Sequence, residues 1–402
     1  MPAPTSTPSR AAPAPLVQRI ALMAPLLVSV AAGLLFGELM VRVFRPTVIR
    51  GPMFDYVNGL RSMTPDTRAR IYVPGQFDTI QTTGPERFRG ARSYARQPAP
   101  GVARIVALGD SFTFGEGAND DESYPAALER RLRERGWNAE VVNAGVGGTG
   151  TGEQALYFDE YVRQFQPSIV LLGVVGNDPD DDANRGLFRR DGAGKLAPVP
   201  ASERERAQGR AFRISRAVHR FPPVAWLYNH SELITLAEDL LRAALQPRGA
   251  AASGTSSFSG AAAAEARERR WDLKLTADEI AWLAERVRTT GAQLVVVYLP
   301  AYTSVYSVSG NADEEKRRQQ EARIAEAAAA GARQAGAPFL DLRPSVQQAY
   351  AAGHPRPGAK APGPALYHRG LDEHPTAAGY RAFSDAIAGW LASSGVLARP
   401  QK

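Results

Sequence analysis

Five apolar runs of strand length follow one another along the chain, and helical patterns separate them. The runs are RIVALGD (104–110), AEVVNAG (139–145), SIVLLGVV (168–175), QLVVVYLP (293–300) and PFLDL (338–342). Nearly continuous Val, Leu and Ile indicate strands that are buried on both faces, as in a parallel sheet. Helical patterns occupy about 122–135, 152–165, 276–290, 313–335 and 376–393. This alternation predicts an α/β fold, a three-layer α/β/α sandwich around a flavodoxin-like parallel sheet of five strands.

An uncharged run from Ile20 to Gly37 lies near the N-terminus. Its length reaches the lower limit for a membrane-spanning helix and exceeds the apolar stretch of a usual signal peptide. It also lacks the polar stripe of a buried core helix. We therefore expect a disordered segment at 1–15 and a single-pass membrane anchor at 16–44. Arginines flank the run on both sides and do not set its orientation, and we expect the domain that follows to lie outside the cytoplasm.

Changes in composition divide the rest of the chain. Residues 45–84 are rich in Pro, Gly and Arg with only short apolar runs, so we expect a connector there. The main domain is expected over 85–398. Within it, 185–275 interrupts the alternation of strands and helices and is interpreted as an inserted subdomain. The low-complexity run at 247–264 is expected to be a mobile loop in that insertion.

Composition excludes several classes of protein. With 44% hydrophobic and 22% charged residues among 402, the chain is neither wholly disordered nor a polytopic membrane protein. The absence of cysteine excludes disulfides, thiolate metal sites and a cysteine nucleophile, but it does not set the compartment. The net charge of +7 comes from scattered arginines without interleaved aromatic residues, so no nucleic-acid partner is expected.

Candidate chemistry begins where the first two predicted strands end. Ser111 closes the first strand in Gly-Asp-Ser, and its hydroxyl can face a crevice there; Thr113 prevents a match to the G-x-S-x-G elbow. After the second strand, Gly145, Gly147 and Gly150 formally match the dinucleotide fingerprint G-x-G-x-x-G. The acidic residue expected about 20 positions later is missing, and such a loop equally well brings a backbone N–H to a substrate oxygen.

Two further candidates follow the third strand and precede the last helix. The Asn177 amide can donate to a developing oxyanion, whereas the acidic run after it lacks the glycine and glutamate of a calcium loop. His374 lies in Asp-Glu-His-Pro, where Asp372 can hold its second ring nitrogen as for a general base. Side chains alternate in an extended loop, so we expect Glu373 to face solvent. Together the four positions form a set suited to acyl transfer.

Here the chain resembles the SGNH/GDSL hydrolase family. GDSFTFGEG, NAGVGG, GND and DEHPTAAGY occur in the family's order, and the resemblance covers about 85–394 except the insertion. It implies that Ser111 is the nucleophile and His374 the base, oriented by Asp372. It also implies an oxyanion hole formed by the N–H groups of Ser111 and Gly148 and the side chain of Asn177. No metal or nucleotide cofactor is required.

Two departures from the family pattern bear on function. Val175 stands where many members have glycine, and Leu371 where many have the aspartate. The shorter Asp-x-His spacing resembles that of membrane-anchored members that acetylate envelope polysaccharides. We therefore expect an ester hydrolase acting on an acyl or acetyl ester of the cell envelope, with a small-molecule or glycan substrate. The alternatives are an O-acetyltransferase or deacetylase of envelope glycans, and a catalytically silent carbohydrate-binding or assembly protein. The oligomeric state is not predicted.

Overall fold

A computed structural model gives the fold of residues 16–44, 48–49, 54–73, 75–207, 271–306, 312–353, 365–368 and 373–397, with scattered positions between 221 and 240. Its strands are β1 (Val48–Ile49), β2 (Phe54–Val57), β3 (Leu60–Met63), β4 (Thr67–Val73), β5 (Phe77–Thr83), β6 (Ala103–Leu108), β7 (Ala139–Asn143), β8 (Ile169–Val174), β9 (Phe188–Arg190), β10 (Leu196–Pro198), β11 (Gln293–Tyr298) and β12 (Phe339–Asp341). The α-helices with defined ends in this part of the chain are α1 (Leu16–Phe44), α2 (Ser111–Phe114), α3 (Tyr124–Glu134), α4 (Thr151–Glu160), α5 (Asp178–Arg185), α6 (Ala201–Ala207), α7 (Leu273–Thr289), α8 (Ala312–Ala335), α9 (Arg343–Gly353) and α10 (Ala377–Ser394).

Five of these strands form one parallel sheet in the order β7-β6-β8-β11-β12. This is the flavodoxin-like order, and it confirms the fold class that the sequence predicts. Ile105 of β6 lies opposite Val141 of β7 and Ile169 of β8. The three strands are therefore aligned, and the loops that leave their carboxyl ends emerge at the same edge of the sheet.

Helices cover both faces of this sheet because its side chains are apolar on both sides. Ile105, Leu171 and Val297 point to one face, where they pack with the apolar faces of α3, α9 and α10. Val106 and Leu172 point to the other face, towards α4, α7 and α8. Each fully buried side chain of this kind contributes roughly 1.5–3 kcal/mol relative to an exposed one. The two apolar layers thus hold the sheet between the helices.

The segment expected to be a connector contains strands. β2 and β3 pair as an antiparallel hairpin, and β4 pairs with both β1 and β5. In the expected insertion, β9 and β10 form a second short hairpin. The expected disordered segment 1–15 and the expected mobile loop 247–264 lie outside the described residues. The division into domains stays a prediction.

Helix α1 is long and apolar enough to cross a membrane. Its stretch Ala24–Phe44 has a mean hydropathy of 1.9, and none of it is buried against the rest of the chain. A signal sequence near the N-terminus would meet the same criteria. Near its end, Glu38 accepts hydrogen bonds from the Ser231 hydroxyl and from the N–H groups of Glu232 and Leu233. The expected insertion therefore contacts α1.

If α1 is an uncleaved anchor, the full-length protein should sediment with membranes, and deletion of residues 1–44 should release it, because the apolar surface of α1 favours lipid. Fractionation with N-terminal sequencing of both forms measures this. Recovery of the intact full-length chain in the soluble fraction would contradict the anchor. Cleavage near residue 35 would identify a signal peptide instead.

Candidate active site

Ser111 is the first residue of the short helix α2, which begins directly after β6. The Asp110 carboxylate caps this helix by accepting a hydrogen bond from Phe112 N at 2.8 Å. A side chain at Gly109 would overlap Thr113, so the turn between strand and helix requires glycine there. The Ser111 hydroxyl is therefore held at the carboxyl edge of the sheet.

His374 lies next to Ser111, although 263 residues separate them along the chain. Its Nε2 atom is 2.7 Å from Ser111 Oγ, and its ring packs against Phe112 with 5.2 Å between ring centroids. His368 N donates a hydrogen bond to the His374 carbonyl at 2.9 Å. Two residues later, Thr376 caps α10 by accepting from Ala378 N. These bonds fix the loop that presents the imidazole.

Asn177 brings a side-chain amide to the same place from the end of β8. Its Nδ2 donates to Asp181 Oδ2 at 2.9 Å and, more weakly, to Asp110 Oδ2 at 3.4 Å. The same Asp110 oxygen lies 3.2 Å from Ser111 Oγ. Burial raises the pKa of Asp110, and the bond from Phe112 N together with the nearby His374 opposes that rise. The amide thus donates to a buried carboxylate that also lies beside the Ser111 hydroxyl.

The glycine loop after β7 completes the group. Gly148 has a φ of 68°, a conformation that favours glycine, and a side chain there would overlap Arg61. Arg61 Nη1 donates to the carbonyls of Gly147 and Gly148 at 3.1 and 3.2 Å. A Cβ placed on Gly147 would be 3.6 Å from Ser111 Cβ. The loop therefore lies against the serine, and Arg61 fixes it through two of its carbonyls.

Buried carboxyl groups join this glycine loop to the asparagine loop. Asp178 accepts from the Thr151 hydroxyl at 2.8 Å, and Asp182 accepts from Gly152 N at 2.9 Å. Burial raises the pKa of Asp178, and it raises that of Asp182 to about 7. Burial likewise raises the pKa of Glu279, whose carboxyl group is hydrogen-bonded to that of Asp182. A carboxyl pair of this kind retains a proton near neutral pH.

Asp372, the predicted partner of His374, lies outside the described residues. Its neighbour Glu373 is half-buried and hydrogen-bonded to the Tyr302 hydroxyl. The sequence expectation that Glu373 faces solvent is therefore wrong, because Tyr302 from the loop after β11 reaches it.

Comparison with known proteins identifies the family. The model of the GDSL-like lipase/acylhydrolase family matches residues 107–382, which is more than half of the chain. The chain belongs to this family. A curated arylesterase of Vibrio mimicus is 29% identical over 75 residues, which are 19% of this chain. The match covers only 38% of that arylesterase.

Solved structures of several GDSL and esterase proteins share the fold distantly. A catalytic mutant of Axe2, an acetylxylan esterase from Geobacillus stearothermophilus, is 12% identical, with 74% of this chain and 97% of that chain covered and a TM-score of 0.39. A GDSL-like lipase from Bacteroides thetaiotaomicron is 13% identical, with 74% and 92% covered and a TM-score of 0.33. These likenesses concern the fold alone.

The structure does not support a dinucleotide site or a calcium site, the two other interpretations of these motifs. A dinucleotide pyrophosphate would need the free N–H groups at the start of α4, but Asp182 already accepts from Gly152 N there. The acidic run after Asn177 forms helix α5 rather than a cation-binding loop. Within the described part of the chain, no group of three or more acidic or histidine side chains could hold a metal ion.

The sequence analysis did not identify two residues that lie next to the site. Phe54 and Arg61 belong to the hairpin β2–β3, inside the segment expected to be a connector. The dipeptide Asn58-Gly59 between these strands is a common hairpin turn and was the available signal. The sequence does not indicate that the hairpin lies near the glycine loop, because about 85 residues separate the two segments.

The carboxyl groups with raised pKa values should make the folded domain less stable as the pH rises. Between the ordinary carboxyl pKa near 4 and the raised value near 7 for Asp182, the folded state binds more protons than the unfolded state. We expect the melting temperature at pH 8 to be at least about 5 °C below that at pH 5, since each unit of pKa shift is worth about 1.4 kcal/mol and 1 kcal/mol moves the melting temperature of a domain of 150–250 residues by roughly 2–4 °C. Differential scanning calorimetry measures it.

Asp182→Asn provides the specific variant, since an amide mimics the protonated acid and accepts from Gly152 N. This variant should reduce the pH dependence of the melting temperature, whereas Glu326→Gln on the exposed surface of α8 should leave that dependence unchanged. A melting temperature that rises from pH 5 to pH 8, or an unaltered slope in Asp182→Asn, would show that these groups are not protonated in the fold.

Proposed function

We propose that this GDSL protein is a serine-dependent ester hydrolase that works through an acyl-enzyme on Ser111. The observation that carries the proposal is the 2.7 Å approach of His374 Nε2 to Ser111 Oγ. A serine hydroxyl becomes a useful nucleophile when an adjacent base removes its proton, and this distance lies within hydrogen-bond reach.

In the first step, His374 takes the proton of Ser111 while Oγ attacks the ester carbonyl carbon. The negative charge that develops on the carbonyl oxygen is stabilised by the N–H groups of Ser111 and Gly148 and by the Asn177 amide. The position of Asn177 near Ser111, each within 3.4 Å of Asp110 Oδ2, supports this role. The C–O bond to the alcohol then breaks, and the alcohol leaves with the proton from His374.

In the second step, His374 removes a proton from water, whose oxygen attacks the acyl carbon. The bond from that carbon to Ser111 Oγ breaks, Oγ takes the proton back from His374, and the acid is released. Asp372 holds the other ring nitrogen and stabilises the imidazolium. A sugar hydroxyl in place of water would turn the same step into an acyl transfer. The short Asp-x-His spacing supports that second outcome, since it resembles envelope-polysaccharide acetylating members of the family.

The substrate that we propose is an acyl or acetyl ester of the cell envelope. Helix α1 would anchor the protein in the membrane with the GDSL domain outside the cytoplasm. Only ten residues separate Phe44, at the end of α1, from Phe54 beside the candidate site. An extended chain spans at most roughly 35 Å over that length, so the anchor would keep the site close to the membrane surface.

A fluorophosphonate should label Ser111, and Ser111→Ala should abolish both the labelling and ester turnover. Removing a serine nucleophile from a working triad lowers kcat by roughly a factor of 10⁶. Mass spectrometry of the labelled peptide and hydrolysis of p-nitrophenyl acetate measure the two effects. The exposed Ser393 on α10 provides a matched control, since Ser393→Ala should change neither. Labelling at another serine would contradict the assignment.

Asp372→Asn should lower kcat by up to about 10⁴, because the imidazole loses control of its tautomer and its compensating charge. Glu373→Gln should be nearly neutral, since Glu373 is bonded to Tyr302. Rates of both variants on one activated ester, with melting temperatures to verify folding, decide between them. Greater damage from Glu373→Gln would show that the wrong carboxylate was chosen. Two neutral variants would indicate a serine–histidine dyad.

A further inference from the structure

The hairpin β2–β3, residues 54–63, lies outside the part of the chain that matches the GDSL family. Nothing in the family resemblance assigns it a role. Its first residue, Phe54, is a large aromatic side chain that remains 43% exposed beside the candidate active site. An aromatic surface of this kind, rimmed by polar groups, is a common feature of ligand sites.

The hairpin is rigidly attached to the domain. Leu60 and Met63 are almost fully buried in the core on the α4 side of the sheet. Arg61 N donates to Glu153 Oε1 at 2.6 Å, and the same oxygen accepts from Arg185 of α5 at 2.6 Å. Because one α4 carboxylate binds both the hairpin and α5, the hairpin has a defined position relative to the asparagine loop that precedes α5.

The Arg61 side chain fixes the other contact, between the hairpin and the glycine loop. Its Nη1 donates to the carbonyls of Gly147 and Gly148, and its guanidinium lies over the Phe54 ring, 4.9 Å from the centroid. A stacked arginine restricts an aromatic ring that would otherwise be free to rotate into solvent. Phe54 is therefore held against the loop that carries a candidate oxyanion donor.

The space between Phe54 and Ser111 is narrow. A Cβ placed on Gly147 would contact Phe54 Cζ at 3.5 Å and Ser111 Cβ at 3.6 Å, both ordinary van der Waals distances. Because both atoms lie at van der Waals distance from this one point, Phe54 Cζ is at most about 7 Å from Ser111 Cβ. An acetyl group on Ser111 Oγ that points towards the ring fills this distance, whereas a longer alkyl chain in the same direction meets the ring.

We propose that the hairpin is a wall of the substrate site and that Phe54 is a specificity-determining residue, which limits the acyl group to about the size of acetyl. The inference rests on the proposed function, since it takes Ser111 as the nucleophile. Its chemistry is steric: the acyl methyl of a bound ester packs against the ring edge, and the ring excludes additional methylene groups. Phe54 takes no part in proton transfer or in oxyanion stabilisation.

Hydrolysis of p-nitrophenyl acetate, butyrate and octanoate by the full-length protein in detergent tests this role. We expect the wild type to prefer acetate. Phe54→Ala should raise kcat/KM for butyrate relative to acetate by about tenfold, since one methylene in a fitted pocket changes selectivity by roughly 10–200-fold. Phe54→Trp should sharpen the preference for acetate. Ile80→Ala, which truncates another exposed apolar residue on β5, is the matched control and should leave the ratio unchanged.

The outcomes separate this inference from the proposed function. Wild-type protein that hydrolyses none of the esters and is not labelled at Ser111 would overturn the proposed function. Wild-type activity with a butyrate-to-acetate ratio that moves less than twofold in Phe54→Ala would overturn the role of Phe54 alone. The role of Phe54 would also be overturned if Phe54→Ala changed the selectivity for the alcohol part of the ester but not for the acyl group. If Phe54→Ala does not fold, Phe54→Leu keeps most of the apolar contact and should shift the ratio in the same direction.

Discussion

The candidate site depends on the point where the strand order of the parallel sheet reverses. β7 is added on one side of β6 and β8 on the other, so the chains that leave β6 and β8 diverge and open a crevice at the carboxyl edge. Ser111 follows β6 and Asn177 follows β8, which places a hydroxyl and an amide on opposite sides of that crevice. The Asp110 carboxylate accepts from the amide and lies 3.2 Å from the hydroxyl oxygen. The approach of Asn177 to Asp110 joins residues 67 positions apart, so it depends on the pairing of β6 with β8.

The carboxyl groups below the crevice stabilise a geometry that apolar side chains could not. Burying an ionised carboxylate is unfavourable, and the raised pKa values of Asp178, Asp182 and Glu279 show how the protein avoids it, by keeping protons on the cluster. In return, the cluster supplies directional hydrogen bonds to Thr151 and Gly152 at the start of α4. These bonds join the start of α4 to α5 and so position the two loops of the proposed oxyanion hole relative to each other. The buried carboxyl groups therefore lower the stability of the fold at higher pH, but they align the two loops.

A buried arginine, Arg89, fixes the end of α2 by hydrogen bonds to backbone carbonyls. Arg89 is buried, and its guanidinium donates to the carbonyls of Phe114, Gly115 and Ala118, where the short helix ends. A helix of four residues has few internal hydrogen bonds and would not persist alone. With Asp110 at its start and Arg89 at its end, α2 holds Ser111 in one orientation. Many of the arginines that produce the net positive charge therefore have structural partners inside the domain.

The sequence predicted the sheet and its helices well, because apolar strands buried on both faces leave a strong local pattern. All five expected strands coincide with strands of the parallel sheet, and the last helix begins within one residue of its expected position. The sequence also indicated Ser111, Asn177 and His374, since each follows or precedes such an element. The hairpin β2–β3 escaped because its strands have four residues each and because Arg61 looks like a solvated residue until its partners are known. Those partners lie on the glycine loop and on α4, and pairings at that distance leave no periodic signal.

The N-terminal segment therefore has two roles in the proposed function. It would connect the domain to the membrane, and within ten residues it would supply a wall of the site beside the nucleophile. A shared fold places the reacting groups, whereas segments attached to that fold define what reaches them. Phe54 lies in such a segment, and none of its contacts involves the protons that the reaction moves. Under the proposed function, substitutions there would change which ester is accepted while Ser111, His374 and Asn177 stay in place, so the choice of substrate would be separable from the chemistry of the site.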